Sequence, residues 1–185
     1  MTEQPRIVSE RLVLRPFSLS DSPEVQRLAG AWAIADTTLN IPHPYLDGMA
    51  EAWISMHAPN YESGELANFA ITEKSDGTLM GAIGLVITRR FQRAELGYWI
   101  GKDCWNRGIC SEAAHAVIAF GFEQLALNKI IAHHLTRNPA SGRVMEKAGM
   151  VREGTLRSHV IKGEVFEDLE AYRILRSEWE AGRRA

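Results

Sequence analysis

The stretch from Ala94 to Leu125 constrains the fold more than any other, because it joins a strand pattern to a helix pattern through a glycine-rich turn. Aromatic and β-branched side chains at 98–100 favour a strand. Gly101 and Gly108 punctuate the turn, where chain reversal needs backbone freedom. From Ser111 onward most residues are apolar and the polar ones fall on one narrow stripe, which predicts a largely buried helix whose N-terminus faces the turn.

A helix that starts directly after such a turn favours anions. Its first N–H groups have no intrahelical partner, and the aligned peptide dipoles add partial positive charge there. The backbone of Arg107–Ser111 could therefore cradle a phosphate or diphosphate, with the Arg107 side chain adding charge. An ordinary strand-to-helix loop is the alternative. The stretch lacks the G-K-[ST] ending of a P-loop and the G-x-G-x-x-G pattern of a dinucleotide site, which argues against those two classes.

Length and composition predict one globular domain over residues 1–185, since 45% of the 185 residues are hydrophobic and 24% are charged. A formal net charge of −2 gives no reason to expect nucleic-acid binding. Cys104 and Cys110 match neither a zinc spacing nor a disulfide framework, so a reducing cytoplasm is the expected compartment. We expect no signal peptide and no membrane association, because no apolar run reaches the required length.

Hydrophobic periodicity and turn residues divide the chain into alternating strand and helix segments. The predicted strands are Glu10–Phe17, Ala67–Glu73, Leu79–Thr88, Ala94–Ile100, Lys129–Leu135, Arg152–Ile161 and Val165–Ile174, and the predicted helices are Asp21–Ala29, Gly48–His57, one from Ser111, and Pro139–Ala148. Segment 36–47 contains two prolines and is predicted to be irregular. One helix-linked crossover interrupts an otherwise meandering order, so the predicted fold class is α+β with a mixed sheet.

Five motifs spread along the chain carry a family resemblance. They read E-R-L-V-L-R at 10–15, I-P-H-P at 41–44, A-E-L-G-Y-W-I at 94–100, W-N-R-G-I-C-S-E-A at 105–113 and N-P-A-S-G-R-V-M-E-K-A-G-M at 138–150. Together they are similar to the GNAT acetyltransferase superfamily, in its RimJ/RimL-type branch. The superfamily signature Q/R-x-x-G-x-G/A falls on Trp105–Cys110, where Gly108 matches while Trp105 and Cys110 depart from it.

The resemblance implies the GNAT fold, a mixed and mostly antiparallel sheet of about seven strands flanked by about four helices, with a V-shaped splay beside the crossover. Acetyl-CoA would be the co-substrate, without a metal, and its pantetheine arm would enter the splay. The backbone N–H groups of Tyr98, Trp99 and Ile100 would bind the arm and polarise the thioester carbonyl. The diphosphate would lie on the backbone of Arg107, Gly108, Ile109, Cys110 and Ser111.

Direct transfer of an acyl group to an amine needs a base for the amine proton. Glu95 is predicted to be that base, acting directly or through water, because it shares a strand face with Trp99 and a carboxylate in a partly dry cleft has a raised pKa. The alternative is a solvated residue paired with Arg90 or Arg93. Glu112 is a second candidate, but its place at the start of a helix better suits the helix dipole.

The same reaction needs an acid for the departing thiolate. Many members of the superfamily carry a tyrosine where this chain has Met145, which cannot donate a proton. The branch form N-x-x-S falls on Asn138 and Ser141, which implies that Ser141 donates to the thiolate and that Asn138 contacts the pantetheine. Both residues also suit the start of a helix, Asn138 as an N-cap before proline. Lys147 would reach the 3′-phosphate of the cofactor or be an ordinary surface charge.

Other side chains allow weaker hypotheses. His43 and Tyr45, in the proline-rich loop, are predicted to line the acceptor pocket, with plain loop residues as the alternative. His133 and His134 are adjacent on a strand and point to opposite faces, unlike metal ligands, so no metal site is predicted. Cys110 at a helix N-terminus could have a lowered pKa, which makes an acyl-cysteine route conceivable.

The leading hypothesis is an N-acetyltransferase that moves acetyl from acetyl-CoA to a primary amine within a ternary complex. A protein or peptide N-terminal α-amine is favoured, and a small-molecule amine such as an antibiotic or polyamine is the alternative. Two other classes remain open, namely a non-catalytic acyl-CoA sensor and an interaction module. A homodimer is compatible with this branch, although the sequence alone does not decide the oligomeric state.

Overall fold

The structure is a computed structural model that describes residues 3–183, and these contain eight strands. They are β1 (Ile7–Val8), β2 (Leu12–Arg15), β3 (Leu66–Glu73), β4 (Leu79–Thr88), β5 (Arg93–Ile100), β6 (Lys129–Leu135), β7 (Val151–Lys162) and β8 (Val165–Leu175). All belong to one sheet in the order β1-β2-β3-β4-β5-β6-β8-β7. Only the β5–β6 pair is parallel. The predicted class, a mixed and mostly antiparallel sheet, is therefore confirmed.

Seven α-helices lie in the same residues. They are α1 (Ser22–Ala29), α2 (Trp32–Thr37), α3 (Met49–Ser55), α4 (His57–Ser63), α5 (Ile109–Glu123), α6 (Pro139–Lys147) and α7 (Arg176–Gly182). Four of them, α1, α3, α5 and α6, correspond to the predicted helices. None of the seven is long and apolar enough to cross a membrane.

The unpredicted helices have local physical causes. The helix predicted over Gly48–His57 ends at Ser55, and α4 begins two residues later with Pro59 in its first turn, where the missing N–H has no intrahelical partner to lose. The polar C-terminal segment forms α7 because Glu178 accepts a hydrogen bond of 3.0 Å from the backbone N–H of Leu175 at the helix start. Its Trp179 packs against the ring of Phe122 in α5, at a centroid distance of 5.3 Å.

The two strands that flank the crossover separate along their length. β5 pairs with β4 over all eight of its residues, from Arg93 to Ile100. With β6 it pairs only over its first three, ending where Glu95 lies opposite Ile131. From Leu96 onward, the β6-facing edge of β5 has no strand partner among residues 3–183. This is the predicted V-shaped splay, and it leaves backbone N–H and C=O groups of one strand free inside a folded sheet.

Both faces of the sheet beside the splay are packed. Helix α5 covers one face and packs closely there: a Cβ added at Gly121 would come within 2.9 Å of Ile130 Cδ1 and 3.0 Å of Leu85 Cδ1, so a larger residue would require these side-chain ends to shift. Helices α1 and α3 cover part of the other face, and Trp99 packs against their apolar cluster. The open edge of β5 is therefore held between two packed layers.

Candidate active site

The open edge of β5 divides its side chains between the two faces of the sheet. Ala94 and Leu96 are buried in the core that contains α5, whereas Glu95 and Gly97 are exposed and Trp99 lies in the cluster on the other face. A Cβ added at Gly97 would meet no heavy atom within 4 Å. There is thus open space over Gly97, directly beside the splay.

Glu95 contacts a residue that the sequence did not suggest. Its Oε1 lies 2.8 Å from Nδ1 of His133, on the strand across the splay. The hydrogen bond from His133 is the main reason that the pKa of Glu95 lies below its usual range, although burial acts in the opposite direction. The predicted raised pKa is therefore wrong. The predicted alternative, a solvated residue paired with Arg90 or Arg93, holds in part: the side chain is half-exposed and the charge of Arg93 helps to lower its pKa, but its hydrogen-bond partner is the imidazole.

The carboxylate partner of His133 assigns the tautomer of the imidazole. Glu95 is ionised at neutral pH, and an ionised carboxylate only accepts hydrogen bonds, so Nδ1 of His133 carries the proton. In the neutral ring, Nε2 then keeps its lone pair. No hydrogen bond joins this nitrogen to another group within residues 3–183. The side chain of His133 is 20% exposed and that of Glu95 is 51% exposed, so the pair lies at the surface of the cleft.

A second side-chain pair bridges the splay on the α5 side. The hydroxyl of Tyr98 donates to the backbone carbonyl of Ser141 at 3.0 Å and lies 2.9 Å from its Oγ. Burial raises the pKa of the Tyr98 phenol far above its usual range, so the hydroxyl stays protonated. The sequence interpretation treated the backbone of 98–100 as the functional part. It missed this side-chain contact between β5 and the first turn of α6.

The turn after β5 leads into α5 two residues earlier than predicted, because the helix begins at Ile109 rather than Ser111. Gly108 is its N-cap residue with a φ of 76°, a left-handed conformation that favours glycine. No side chain caps this end of the helix. The first N–H groups of α5 are therefore available to a ligand. The departure from the signature at Trp105 has a structural role, since its indole N–H donates to the carbonyl of Ile100 at 2.7 Å.

Arg11 adds positive charge at this helix end, and the sequence interpretation did not assign it to the site. Its Nη1 donates to the backbone carbonyl of Arg107 at 3.0 Å, and its Nε donates to Glu112 at 2.7 Å. Glu112 also accepts from the Ser9 hydroxyl at 2.7 Å, so this carboxylate is fully engaged in holding Arg11. Burial raises the pKa of Glu112, but these hydrogen bonds outweigh it and the net pKa is lowered. Its predicted role near the helix dipole fits this arrangement.

The cysteine of the turn is unsuited to covalent catalysis. Burial raises the pKa of the Cys110 thiol far above its usual range, although the residue lies in the first turn of α5. The lowered pKa considered from the sequence is therefore wrong, because desolvation outweighs the helix dipole. The thiol stays protonated at neutral pH. On either side of Gly108, Ile109 is buried in the core, whereas the Arg107 side chain is exposed and its Nη2 lies 3.8 Å from Oε2 of Glu73.

Helix α6 and its N-cap carry three of the predicted site residues, Asn138, Ser141 and Lys147, and Ser141 contacts β5 across the splay. Asn138 is the N-cap residue by position, but its side chain makes no capping hydrogen bond, which contradicts the capping interpretation. Ser141 faces Tyr98 from the first turn, and Met145 is buried in the core as its apolar side chain requires. Lys147 is exposed in the last turn.

The proline-rich loop places its two predicted residues differently. His43 is exposed, lies 3.1 Å from the carbonyl of Gly30 through Nδ1, and packs edge-on against Trp32. Tyr45 is half-buried against the same apolar cluster as Trp99, and burial raises its pKa. Tyr45 thus packs against the same cluster as Trp99, whereas no contact joins His43 to Glu95, Trp99 or His133 within residues 3–183.

Metal chemistry has no cluster to support it in the described part of the chain. Residues 3–183 contain no group of three or more His, Cys, Asp or Glu side chains close enough to hold an ion. His133 and His134 lie on opposite faces of β6, the former against Glu95 and the latter beside Tyr172.

Comparisons with known proteins agree with this geometry. A family profile described as "Acetyltransferase (GNAT) domain" matches residues 11–151. The chain is 36% identical over 183 residues to YdaF of Bacillus subtilis (strain 168), which carries the provisional name ribosomal N-acetyltransferase, and the match covers 94% of this chain and 96% of YdaF.

Solved structures share the fold. A GNAT-family acetyltransferase from Bacillus anthracis superimposes with a TM-score of 0.84 at 26% identity, covering 94% of this chain and 99% of that one. The spermidine N-acetyltransferase of Vibrio cholerae, in complex with CoA and spermine, gives a TM-score of 0.79 at 20% identity, covering 93% and 99%. The second likeness concerns the fold alone.

Proposed function

Because the chain belongs to the GNAT acetyltransferase family, we propose that it transfers acetyl from acetyl-CoA to a primary amine by direct attack within a ternary complex. The observation that carries this proposal is the splay. Beyond Glu95 the edge of β5 is free, and the strand leads from the Glu95–His133 pair to the uncapped N-terminus of α5. A cleft with an anion site at one end and titratable groups at the other suits an acyl-CoA thioester.

The cofactor residues follow from this orientation. The diphosphate would lie on the N–H groups between Gly108 and Ser111, including those of Ile109 and Cys110, with Arg107 and Arg11 neutralising its charge. Glu95 and Ile100 are five residue steps apart, about 16 Å along a strand, which is of the order of an extended pantetheine arm. The arm would pair with the free backbone of 98–100. The uncapped amide of Asn138 would face the arm from α6, and Lys147 would reach the 3′-phosphate.

The reaction chemistry uses the two side-chain pairs. A backbone N–H of β5 would polarise the thioester carbonyl, and the Glu95 end of the cleft would receive the proton of the attacking amine. Ser141, hydrogen-bonded to Tyr98, would donate to the leaving thiolate. Cys110 has no role as a nucleophile, because its buried thiol is protonated. The reaction would take place in the cytoplasm, consistent with two free cysteines.

A protein or peptide N-terminal α-amine is the proposed acceptor. The relative at 36% identity carries a ribosomal N-acetyltransferase name, whereas the spermidine enzyme shares only the fold at 20% identity. The open space over Gly97 would admit the amine, with Trp99 and Tyr45 on the same side and His43 farther out on the loop. A small-molecule amine is the alternative acceptor.

The test is a thiol-release assay with acetyl-CoA over a panel of N-terminal peptides, polyamines and amino-sugar antibiotics, with mass spectrometry of the products. Acetylated peptide α-amines at rates well above the polyamines support the proposed acceptor. Faster acetylation of the small amines selects the alternative. Cofactor binding without turnover on any amine points to an acyl-CoA sensor and overturns the enzymatic proposal.

A further inference from the structure

The splay places an imidazole beside the open space where the acceptor nitrogen would enter. The last paired residues of the two strands are Glu95 and Ile131, and two residues farther along stand Gly97 and His133, on either side of the gap. The space over Gly97 is empty, and the side chain of His133 is 20% exposed. His133 is thus at the closed end of the splay, on the face opposite α5.

The imidazole has the chemistry of a general base in this position. Its Nδ1 donates to Glu95 at 2.8 Å, so Nε2 has the free lone pair. A carboxylate that accepts from one ring nitrogen fixes the tautomer and stabilises the imidazolium formed when the other takes a proton. Glu95 itself is the poorer base of the two, since the hydrogen bond from His133 occupies its Oε1 and lowers its pKa.

We infer that His133 is the catalytic base that takes the proton from the acceptor nitrogen through Nε2, and that Glu95 is a positioning residue that holds and polarises the ring. The inference rests on the proposed function and changes the role predicted for Glu95. The neutral amine attacks the thioester carbonyl, a C–N bond forms and the C–S bond breaks. The proton lost by nitrogen passes to Nε2 of His133, and the thiolate leaves while it accepts a hydrogen bond from the Ser141 hydroxyl. Exchange with solvent then protonates the thiolate and deprotonates His133.

Few other charged groups surround the imidazole. Arg93, on β5, adds positive charge near Glu95. On β8, Ala171 is opposite His133 and Arg173 is opposite Ile131, with Arg173 engaged by Glu153 and Glu178. The pH dependence of turnover should therefore report mainly on the His133–Glu95 pair.

The experiment compares His133→Asn and His133→Gln with Glu95→Gln and with His159→Asn, since His159 is an exposed histidine on β7 that makes no hydrogen bond or ion pair with Glu95 or His133 in the described part of the chain. For each variant we would measure kcat against pH on the fastest amine of the wild-type panel, the dissociation constant of acetyl-CoA, and the melting temperature. The imidazole ε1 resonance of His133 would be followed by NMR over the same pH range.

We expect both His133 variants to lower kcat by about 10²-fold or more, with acetyl-CoA affinity unchanged and His159→Asn equal to wild type. The acid limb of the wild-type profile should coincide with the NMR titration of His133. Glu95→Gln should move that limb to lower pH, because loss of the carboxylate destabilises the imidazolium.

Three results would overturn the inference. One is a folded His133 variant whose kcat is within about threefold of wild type, because loss of a general base should lower kcat by about 10²-fold or more. Another is a profile of kcat against pH whose acid limb lies at the same pH in Glu95→Gln as in wild type. This result decides the question even if both His133 variants fail to fold. These two leave the proposed function standing. A wild-type protein that binds acetyl-CoA but acetylates no amine overturns both together.

Discussion

The two ends of the cleft are built from different parts of the polypeptide. At the α5 end the functional groups are backbone N–H groups, presented by the left-handed Gly108 and backed by Arg11. At the closed end the groups proposed to act are the side chains of Glu95 and His133, and the Tyr98–Ser141 pair bridges the splay between the two ends. The α5 end should therefore control cofactor affinity and the closed end should control the rate of transfer, and substitutions at the two ends should affect different constants.

The largest effect is expected at the closed end. Glu95→Ala removes the acceptor of the His133 hydrogen bond, so the ring loses its fixed tautomer, and kcat should fall about 10²-fold. The dissociation constant of acetyl-CoA should change by less than about twofold, because the groups at the α5 end are untouched. Steady-state kinetics with calorimetric binding would measure both. Glu62→Ala, at an exposed position of α4, is the control. If Glu95→Ala lowers acetyl-CoA affinity as much as it lowers kcat, the two ends of the cleft do not have separate roles.

A smaller effect, on affinity alone, is expected at the α5 end. Gly108→Ala places a side chain where the backbone should approach the diphosphate and should weaken acetyl-CoA binding by roughly tenfold, about 1.4 kcal/mol. Gly163→Ala is the control, because Gly163 also has a left-handed φ, 61° against 76° for Gly108, and lies in the β7–β8 hairpin, where an added Cβ would meet no heavy atom within 4 Å. Both variants should lose roughly 1 kcal/mol of stability from left-handed strain. If the two weaken binding equally, the turn is not the anion site.

The Tyr98–Ser141 contact should give a still smaller change. Tyr98→Phe removes the phenol hydroxyl and leaves Ser141 without its partner, which should lower kcat a few-fold and the free energy of unfolding by about 1 kcal/mol. Ser141→Ala should act similarly, and a double-mutant cycle should show non-additive effects. Additive losses in kcat would mean that the two hydroxyls act separately.

The smallest effect concerns the dependence of stability on pH. Because the pKa of Glu95 is lower in the folded state, the unfolded state binds the proton more readily. The ionised carboxylate therefore stabilises the folded state at pH values above the unfolded carboxyl pKa, and this stabilisation is lost as the pH falls through the folded pKa. Glu95→Gln should therefore be less stable than wild type at pH 6, and the difference should shrink below pH ~4. Screening of this half-exposed pair limits it to a few tenths of a kcal/mol in denaturant unfolding. A difference that grows in acid would contradict the assigned hydrogen bond between His133 and an ionised Glu95.

The two ends also differ in what the sequence could reveal. The α5 end was predictable, because Gly108 and the apolar pattern after it are contiguous in the chain and imply a turn and a helix N-terminus. The closed end was not, since Glu95 and His133 are 38 positions apart and their contact depends on the register of one short parallel pair. A strand pattern specifies the face of each side chain but not its neighbour across a crossover. For the same reason the pKa of Glu95 was predicted in the wrong direction.

Thermal unfolding with acetyl-CoA, free CoA and NAD tests the central claim, that the splay is an acyl-CoA site, most directly. At about a hundred times its dissociation constant, a ligand of the folded state adds roughly 2.7 kcal/mol, or about 5–10 °C for a chain of this size. We expect acetyl-CoA and CoA to raise the melting temperature and NAD to leave it unchanged. No shift with either CoA species, or an equal shift with NAD, would contradict the assignment of the cleft.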